Sequence, residues 1–401
     1  MGYFGNKISR IGLLILVLCL LQVNAQIQCS DKSPCPESAP CCSEFGYCGT
    51  DRFCLGGCNP FLSFKPTSCA PNPICISNLY TFDKPERLQP TSSYTGGTDV
   101  DFTYEGQPLF TGGNLIMSLA KGTQGTRVST TRYLYYGRVL AKIKAARSVG
   151  IVTAFITMSN IKDEIDWEFL GYDLQTGQSN YFYRGYIDYT KGVKEPVGGN
   201  IYTDFHEYGI DWSQDQLSWL IDGKIVRTVK KSDTYNKTTG NYDYPQSPSR
   251  IQLSIWDAGD GPEGTKNWAG GATNWNAPDI QSPGYFYAQV QSVVVECYGV
   301  QGAGNIKVDP SWGSVDSSVN SYVYDANGNV TITKSDVTKV NITTPPSQGL
   351  PQSPDQNPNT IPNITGQYVA DAIAAAAIGS PAVVSTSIAV FAAIALGIFV
   401  L

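Results

Sequence analysis

The stretch Lys162–Gly171, KDEIDWEFLG, sets four carboxylates (Asp163, Glu164, Asp166 and Glu168) among Ile165, Trp167, Phe169 and Leu170. Successive side chains of a strand alternate between its faces. As a strand, this segment puts Glu164, Asp166 and Glu168 on one face and Ile165, Trp167 and Phe169 on the other. The apolar set can enter a core, which leaves three like charges in a row. Such crowding raises carboxyl pKa values, and a merely structural strand gains nothing from it. Two facing carboxyls are the equipment of glycoside hydrolysis: in the retaining form a nucleophile and an acid/base stand roughly 5–5.5 Å apart. Positions i and i+4 of a strand are about 13 Å apart at Cα. Two glutamates leaning together over a concave sheet approach the retaining distance more naturally than the inverting one of roughly 6.5–9.5 Å. Asp166, between them, can hydrogen-bond the nucleophile and help hold the two pKa values apart. Two other readings compete. An acidic strand can bind Ca²⁺, though no Gly-containing loop of the EF-hand type is present. It can also be a solvated charged face, although its neighbours are rich in aromatics.

The elements that must position these acids are short β-rich runs separated by Gly, Asn and Asp turns, from Leu79 to about Tyr298. The rhythm predicts an all-β domain, an antiparallel sandwich or jelly roll. LIDGKIV carries an Asp-Gly hairpin signal, and no long stretch of helical period occurs before residue 360. RIQLSIWDAGD alternates so that Arg250, Gln252, Ser254 and Trp256 share a face that would line a cleft. Sugars offer C–H faces to aromatics and hydroxyls to polar groups, so Gln252 and Trp256 are candidate binding residues. A polar strand face and a core Trp are the competing readings. Trp219, in LSWLIDG, suits either a cleft or the core. Trp268 and Trp275 lie in the Gly-rich loop NWAGGATNW and suit a sugar platform. Asn180 and Tyr181 follow the acidic strand and could reach the donor side. His206, in DFHEYGIDW, reads as a structural histidine.

The 401 residues suffice for one large domain with small attachments. A net charge of -6 makes no electrostatic case for nucleic acid. The single histidine excludes His-rich metal sites and leaves a Ser-His-Asp triad resting on one residue. No metal or cofactor is expected. Residues 1–25 read as a secretory signal, with Lys7 and Arg10 before the apolar run IGLLILVLCLL and cleavage after Ala25. At the other end, ADAIAAAAIGS leads into the uncharged apolar tail AVVSTSIAVFAAIALGIFVL, a GPI-attachment pattern over 371–401 with the attachment residue between Asn363 and Ser380. A tail-anchored helix is the competing reading. Ten cysteines remain after signal removal, nine of them from Cys29 to Cys75 and the tenth at Cys297, as suits an exported chain. Asn236, Asn329, Asn341 and Asn363 head N-glycosylation triplets. Residues 26–58 form a cysteine-dense block, 59–78 a connector, 79–300 the β-domain and 301–370 a Pro-, Ser-, Asn- and Gln-rich stalk expected to be disordered and glycosylated.

The motif DEIDWEFLG resembles the E-x-D-x-E signature of glycoside hydrolase family 16. SNYFYRG, DFHEYGIDW, LSWLIDGKIVRT, YPQSPSRIQLSIWDAGD and GTKNWAGGATNW resemble the fungal cell-wall Crh transglycosylases of that family, in order from Leu79 to Cys297. The resemblance implies a β-jelly roll with a cleft across its concave sheet. It implies Glu164 as nucleophile, Asp166 as supporting acid and Glu168 as general acid/base, and substrate contacts from Gln252, Trp256 and Thr265. The core CCSxxGYCG of the cysteine block is similar to hevein-type chitin-binding modules, carbohydrate-binding module family 18. That implies the pairs Cys29–Cys42, Cys35–Cys48 and Cys41–Cys54, with Ser43, Phe45, Tyr47 and Phe53 against N-acetylglucosamine. A disulfide scaffold without sugar binding is the competing reading. The remaining cysteines are assigned as Cys58–Cys69 and Cys75–Cys297.

The expected function is a retaining transglycosylase that cleaves chitin and passes it to β-glucan or chitin. A plain endo-hydrolase and a non-catalytic wall lectin are the alternatives. The expected product is a monomer at the cell surface and wall, attached to the membrane through its GPI lipid alone.

Overall fold

Alternation builds the strands and turn residues separate them. Gly137–Lys144 buries every second side chain along its length, and Tyr285–Cys297 does so over most of its thirteen residues. The computed structural model describes residues 27–298, 320–325 and 329–334. The β-domain is a jelly-roll sandwich of two eight-stranded sheets. In the outer sheet Tyr285–Cys297 is central, pairing with Gly137–Lys144 on one side and with Asn114–Ala120 and Asn78–Thr81 on the other. Beyond Gly137–Lys144 come His206–Trp212, Gln216–Ile221 and Lys224–Lys230.

The site sheet runs, in spatial order, Val193–Pro196, Thr176–Phe182, Glu164–Leu170, Ile151–Ser159, Ser249–Asp257, Thr126–Thr130, Phe102–Glu105 and Leu88–Pro90. Between the sheets lies the core, with Phe155, Trp167, Phe169, Tyr208, Trp212 and Trp219 wholly buried. A sheet that packs on one side alone alternates buried and exposed residues. All seven residues of Glu164–Leu170 are buried instead, as are nearly all of Ile151–Ser159 and Ser249–Asp257. Side chains on the concave face of this sheet are therefore largely withdrawn from solvent as well.

Five disulfides are present: Cys29–Cys42, Cys35–Cys48, Cys41–Cys54, Cys58–Cys69 and Cys75–Cys297. The segment read as a connector is not a free linker. Cys58–Cys69 and a hydrogen bond from Ala70 N to Cys54 O tie it to the cysteine block. Its Asn72–Pro73 pairs with Asn320–Tyr324, which pairs with Val330–Lys334. Within the segment read as a stalk, residues 320–324 and 330–334 depart from that reading and form strands on this small sheet; Tyr322 and Tyr324 are buried, and 301–319, 326–328 and 335–370 lie outside the described residues. Asn236 and Asn329 lie at short hairpins, with their side-chain amides donated to Asp243 and Asp325. The signal segment, the GPI-attachment segment, Asn341 and Asn363 lie outside the described residues.

Candidate active site

Register settles which side chains share the concave face. Glu168 lies opposite Ala154 and Gln178, Asp166 opposite Ile156 and Asn180, and Glu164 opposite Met158 and Phe182. One strand further, Ala154 faces Ser254, Ile156 faces Gln252 and Met158 faces Arg250. The three acids therefore stand in a file on the concave side, flanked by Gln178 and Asn180 on one strand and by Gln252 and Ser254 two strands away. Ile165, Trp167 and Phe169 turn into the core as the alternation requires.

The trio is not a solvated charged face. Glu164 is 8% exposed, Asp166 0% and Glu168 4%. Apart from a hydrogen bond shared between the Glu164 and Asp166 carboxyls, Oε1 of Glu164, both carboxyl oxygens of Asp166 and Oε1 of Glu168 are buried with no partner from another side chain or the backbone. The adjacent Asp163 shows the contrast. Its carboxylate accepts from Arg184 N, Gln246 N and the Ser247 hydroxyl, which makes it a structural anchor. Orphaned acceptors are costly, and three acids with free oxygens in one place are arranged for something that binds there. Burial is the first cause of their shifted ionisation. It raises Glu164 to about 7, moderated by Asp166 and the Lys162 charge. It raises Glu168 to about 8, with the Glu164 charge adding to the effect. Asp166, between two acids, is pushed well above the usual carboxylate range by burial and then by the charges of Glu164 and Glu168. One carboxyl that ionises first beside one that keeps its proton is the division of labour that nucleophile and acid require.

The backbone behind the acids is pinned from the core side. Trp219 Nε1 donates to Asp166 O at 2.9 Å, and Trp167 Nε1 donates to Gly209 O at 2.9 Å. This corrects the cleft reading of Trp219, which is fully buried in the core with the Arg227 guanidinium over its ring. Tyr181 is corrected in the same way: it lies opposite Ile165, hence on the core face, and its ring tilts against Trp219. Trp275 packs on Phe286 at the core rather than forming a platform. Thr265 is wholly buried in the short helix Glu263–Trp268, next to Trp268.

Trp256 and Trp268 come together at the Glu168 end. Their rings stack with centroids 6.1 Å apart, and Trp268 Nε1 donates to Gln178 Oε1 at 2.9 Å. Gln252 lies two strands from Asp166, with its Nε2 buried and unpartnered. Gln178 was missed in the sequence, although it lies two residues from Asn180 and so shares its face. His206 pairs through Nδ1 with Asp222 Oδ2 at 2.8 Å, away from the acids.

In the cysteine block, Phe53 is buried against Cys41 and Cys58 in the module's own core, which corrects its sugar-contact reading. Ser43 is buried, its hydroxyl accepting from Tyr47 N. Phe45 and Tyr47 are half-buried. Glu44, between them, was not singled out from the sequence. It reaches the concave face and pairs with Arg127 and Arg250 at 2.8 Å each.

Comparison with known proteins places these residues in a family. Residues 96–277 match the glycosyl hydrolases family 16. The chain is 43% identical over 308 residues to Crh-like protein 2 of Aspergillus fumigatus, a match covering 74% of this chain and 70% of that protein. It is 39% identical over 304 residues to Crh-like protein UTR2 of Candida albicans, covering 74% of this chain but 64% of the relative, under two thirds of its length. A solved structure described as Crh5 transglycosylase in complex with NAG aligns with a TM-score of 0.53 at 29% identity, covering 69% of this chain and 100% of the other.

Proposed function

Since the chain belongs to glycosyl hydrolase family 16, among its Crh-like proteins, we propose that it is a retaining transglycosylase of the fungal cell wall. In this reading it cleaves chitin and passes the cleaved chain to β-glucan or chitin. The observation that carries the reading is the file of Glu164, Asp166 and Glu168 on one concave strand face, buried yet with unpartnered oxygens.

Glu164 Oε attacks the anomeric carbon, and Glu168 gives its proton to the leaving glycosidic oxygen. The C–O bond breaks as the glycosyl–Glu164 ester forms. Glu168, now ionised, takes the proton of the incoming hydroxyl, and the new glycosidic bond releases Glu164. Asp166 shares the face with the nucleophile and steadies it through the charge change. Gln178, Asn180 and Gln252 surround the file as hydroxyl partners, and the Trp256–Trp268 pair offers an apolar wall at the Glu168 end.

Hydrolysis and transfer use the same acids and differ in which acceptor takes the glycosyl group. Incubation of chitin oligosaccharide with a fluorescent β-glucan acceptor separates them. A labelled hybrid is the expected product. Shortened chitin alone would identify an endo-hydrolase, and binding without products a wall lectin. The signal segment, the GPI-attachment pattern and the N-glycosylation triplets support export to the cell surface and wall, with the membrane reached through lipid alone.

A further inference from the structure

We infer that the cysteine-rich module is built into the catalytic hollow as its fixed end wall, and that the Glu44–Phe45 turn sets how far a glycan extends past the acids on that side. The inference rests on reading the hollow as a glycan cleft.

The seam between module and sheet is a buried ionic lock. Glu44 is 9% exposed. Its Oε1 accepts from Arg127 Nη2 and its Oε2 from Arg250 Nη2, each at 2.8 Å, and its backbone carbonyl accepts from Lys162 Nζ at 2.7 Å. Arg127 also donates twice to Glu105. Burial alone would drive the Glu44 carboxyl up, but Arg127 and Arg250 outweigh it and hold the group below its usual range. Around the lock, Gly57 N donates to the Tyr133 hydroxyl at 3.0 Å and to Asn160 Oδ1 at 3.1 Å. Gly56 lies flat on the Arg250 guanidinium, and a Cβ there would come within 2.6 Å of Nη1.

Both arginines belong to the face that carries the acids. Arg250 is opposite Met158, which is opposite Glu164; Arg127 is opposite Ser254, then Ala154, then Glu168. At strand spacings of about 4.8 Å, the lock lies roughly 10 Å from Glu164 and roughly 14 Å from Glu168 at Cα, across the sheet. Beyond it, the concave face of Thr126–Thr130 and Phe102–Glu105 is roofed by the module, and Leu55, Gly56, Ala70 and Pro71 close a small cavity over Thr103 and Arg250. A module serving only as a tether would be joined by a linker and need no buried charges against the enzyme. Here Phe45 lies under Arg127, its ring centroid 5.4 Å from the guanidinium carbon, on the module side of the lock. On this inference a glycan track running across the sheet from the acids ends at this turn.

The test uses the full chain carrying Glu164→Gln, so that binding is read without turnover. Chitin oligosaccharides of increasing length are titrated by calorimetry. Affinity is expected to rise by at least about tenfold from the trimer, equivalent to about 1.4 kcal/mol, and then to level off at the length that reaches the wall. Adding Phe45→Ala, or separately Glu44→Gln, should move that plateau to longer oligomers. Hydrogen exchange of Thr126–Thr130 should quicken with Glu44→Gln. An affinity that keeps climbing with length overturns the inference, as does a plateau unchanged by Phe45→Ala, the variant that leaves the lock intact. Binding at no length overturns it as well. If the unmutated chain yields no glycan product while the plateau is present and movable, the proposed function falls and the wall stands.

Discussion

Replacing Glu164 by Gln should abolish turnover and, at alkaline pH, make the protein more stable. The Glu164 carboxyl is held at about 7 in the folded chain, against an ordinary 4.5, with burial as the main cause. A group whose folded pKa is raised contributes stability that is fully present below its unfolded pKa and is lost as pH rises to the folded one. Between pH 4.5 and about 7 the unfolded chain ionises at this position while the folded chain keeps its proton. With roughly 1.4 kcal/mol per pKa unit, the loss is roughly 3 kcal/mol, complete by pH 8. Glutamine never ionises and escapes it. Glu168 gains as well, because the Glu164 charge is a secondary cause of its rise to about 8. At pH 4 the two chains should unfold alike. At pH 8 the variant should melt roughly 6–12 °C higher, from the roughly 2–4 °C per kcal/mol found for domains of about 150–250 residues. Denaturant and thermal unfolding at both pH values, with disulfides intact, provide the measurement. A variant equally or less stable at pH 8 refutes the idea that the acid trio is held against its own ionisation.

Two further outcomes follow from neighbouring groups. Glu168→Gln should lose about 10²-fold or more in rate on natural glycans, yet form the glycosyl-enzyme readily from a donor whose aryl leaving group needs no proton, as a burst of released phenol would show. Trp219→Phe removes the indole donor to Asp166 O and leaves space in the core. It should cost about 2 kcal/mol, counting the hydrogen bond and the lost volume, and lower the melting temperature by roughly 4–8 °C; a shift under a degree would deny the indole its anchoring role.

The face carrying the acids was legible because strand period is local: Glu164, Asp166 and Glu168 must share a side once Ile165, Trp167 and Phe169 are buried. The same rule, applied strictly, would have placed two other residues. Asn180 and Tyr181 are adjacent in one strand, so they could not both look into the cleft. Trp219 shares its strand face with Leu217 and Ile221, an apolar file that belongs to the core. Glu44 was illegible for a different reason. Its partners are 83 and 206 residues away, and no periodicity encodes which surface a small disulfide module will rest upon. Glu44 lies inside a motif where the cysteines and aromatics draw attention, so a lone carboxylate there looks like solvent-facing decoration.

The strand Tyr285–Cys297 comes almost last in the β-domain yet lies in the middle of the outer sheet, and its terminal cysteine closes back on Cys75. During synthesis, therefore, Asn78–Thr81, Asn114–Ala120 and Gly137–Lys144 wait with a bare edge until Tyr285–Cys297 emerges. Long-range pairing of this kind is slow and exposes sticky intermediates. A chain cut short before Tyr285 loses the central stave of its sheet and with it the pairing partner of Asn78–Thr81, Asn114–Ala120 and Gly137–Lys144.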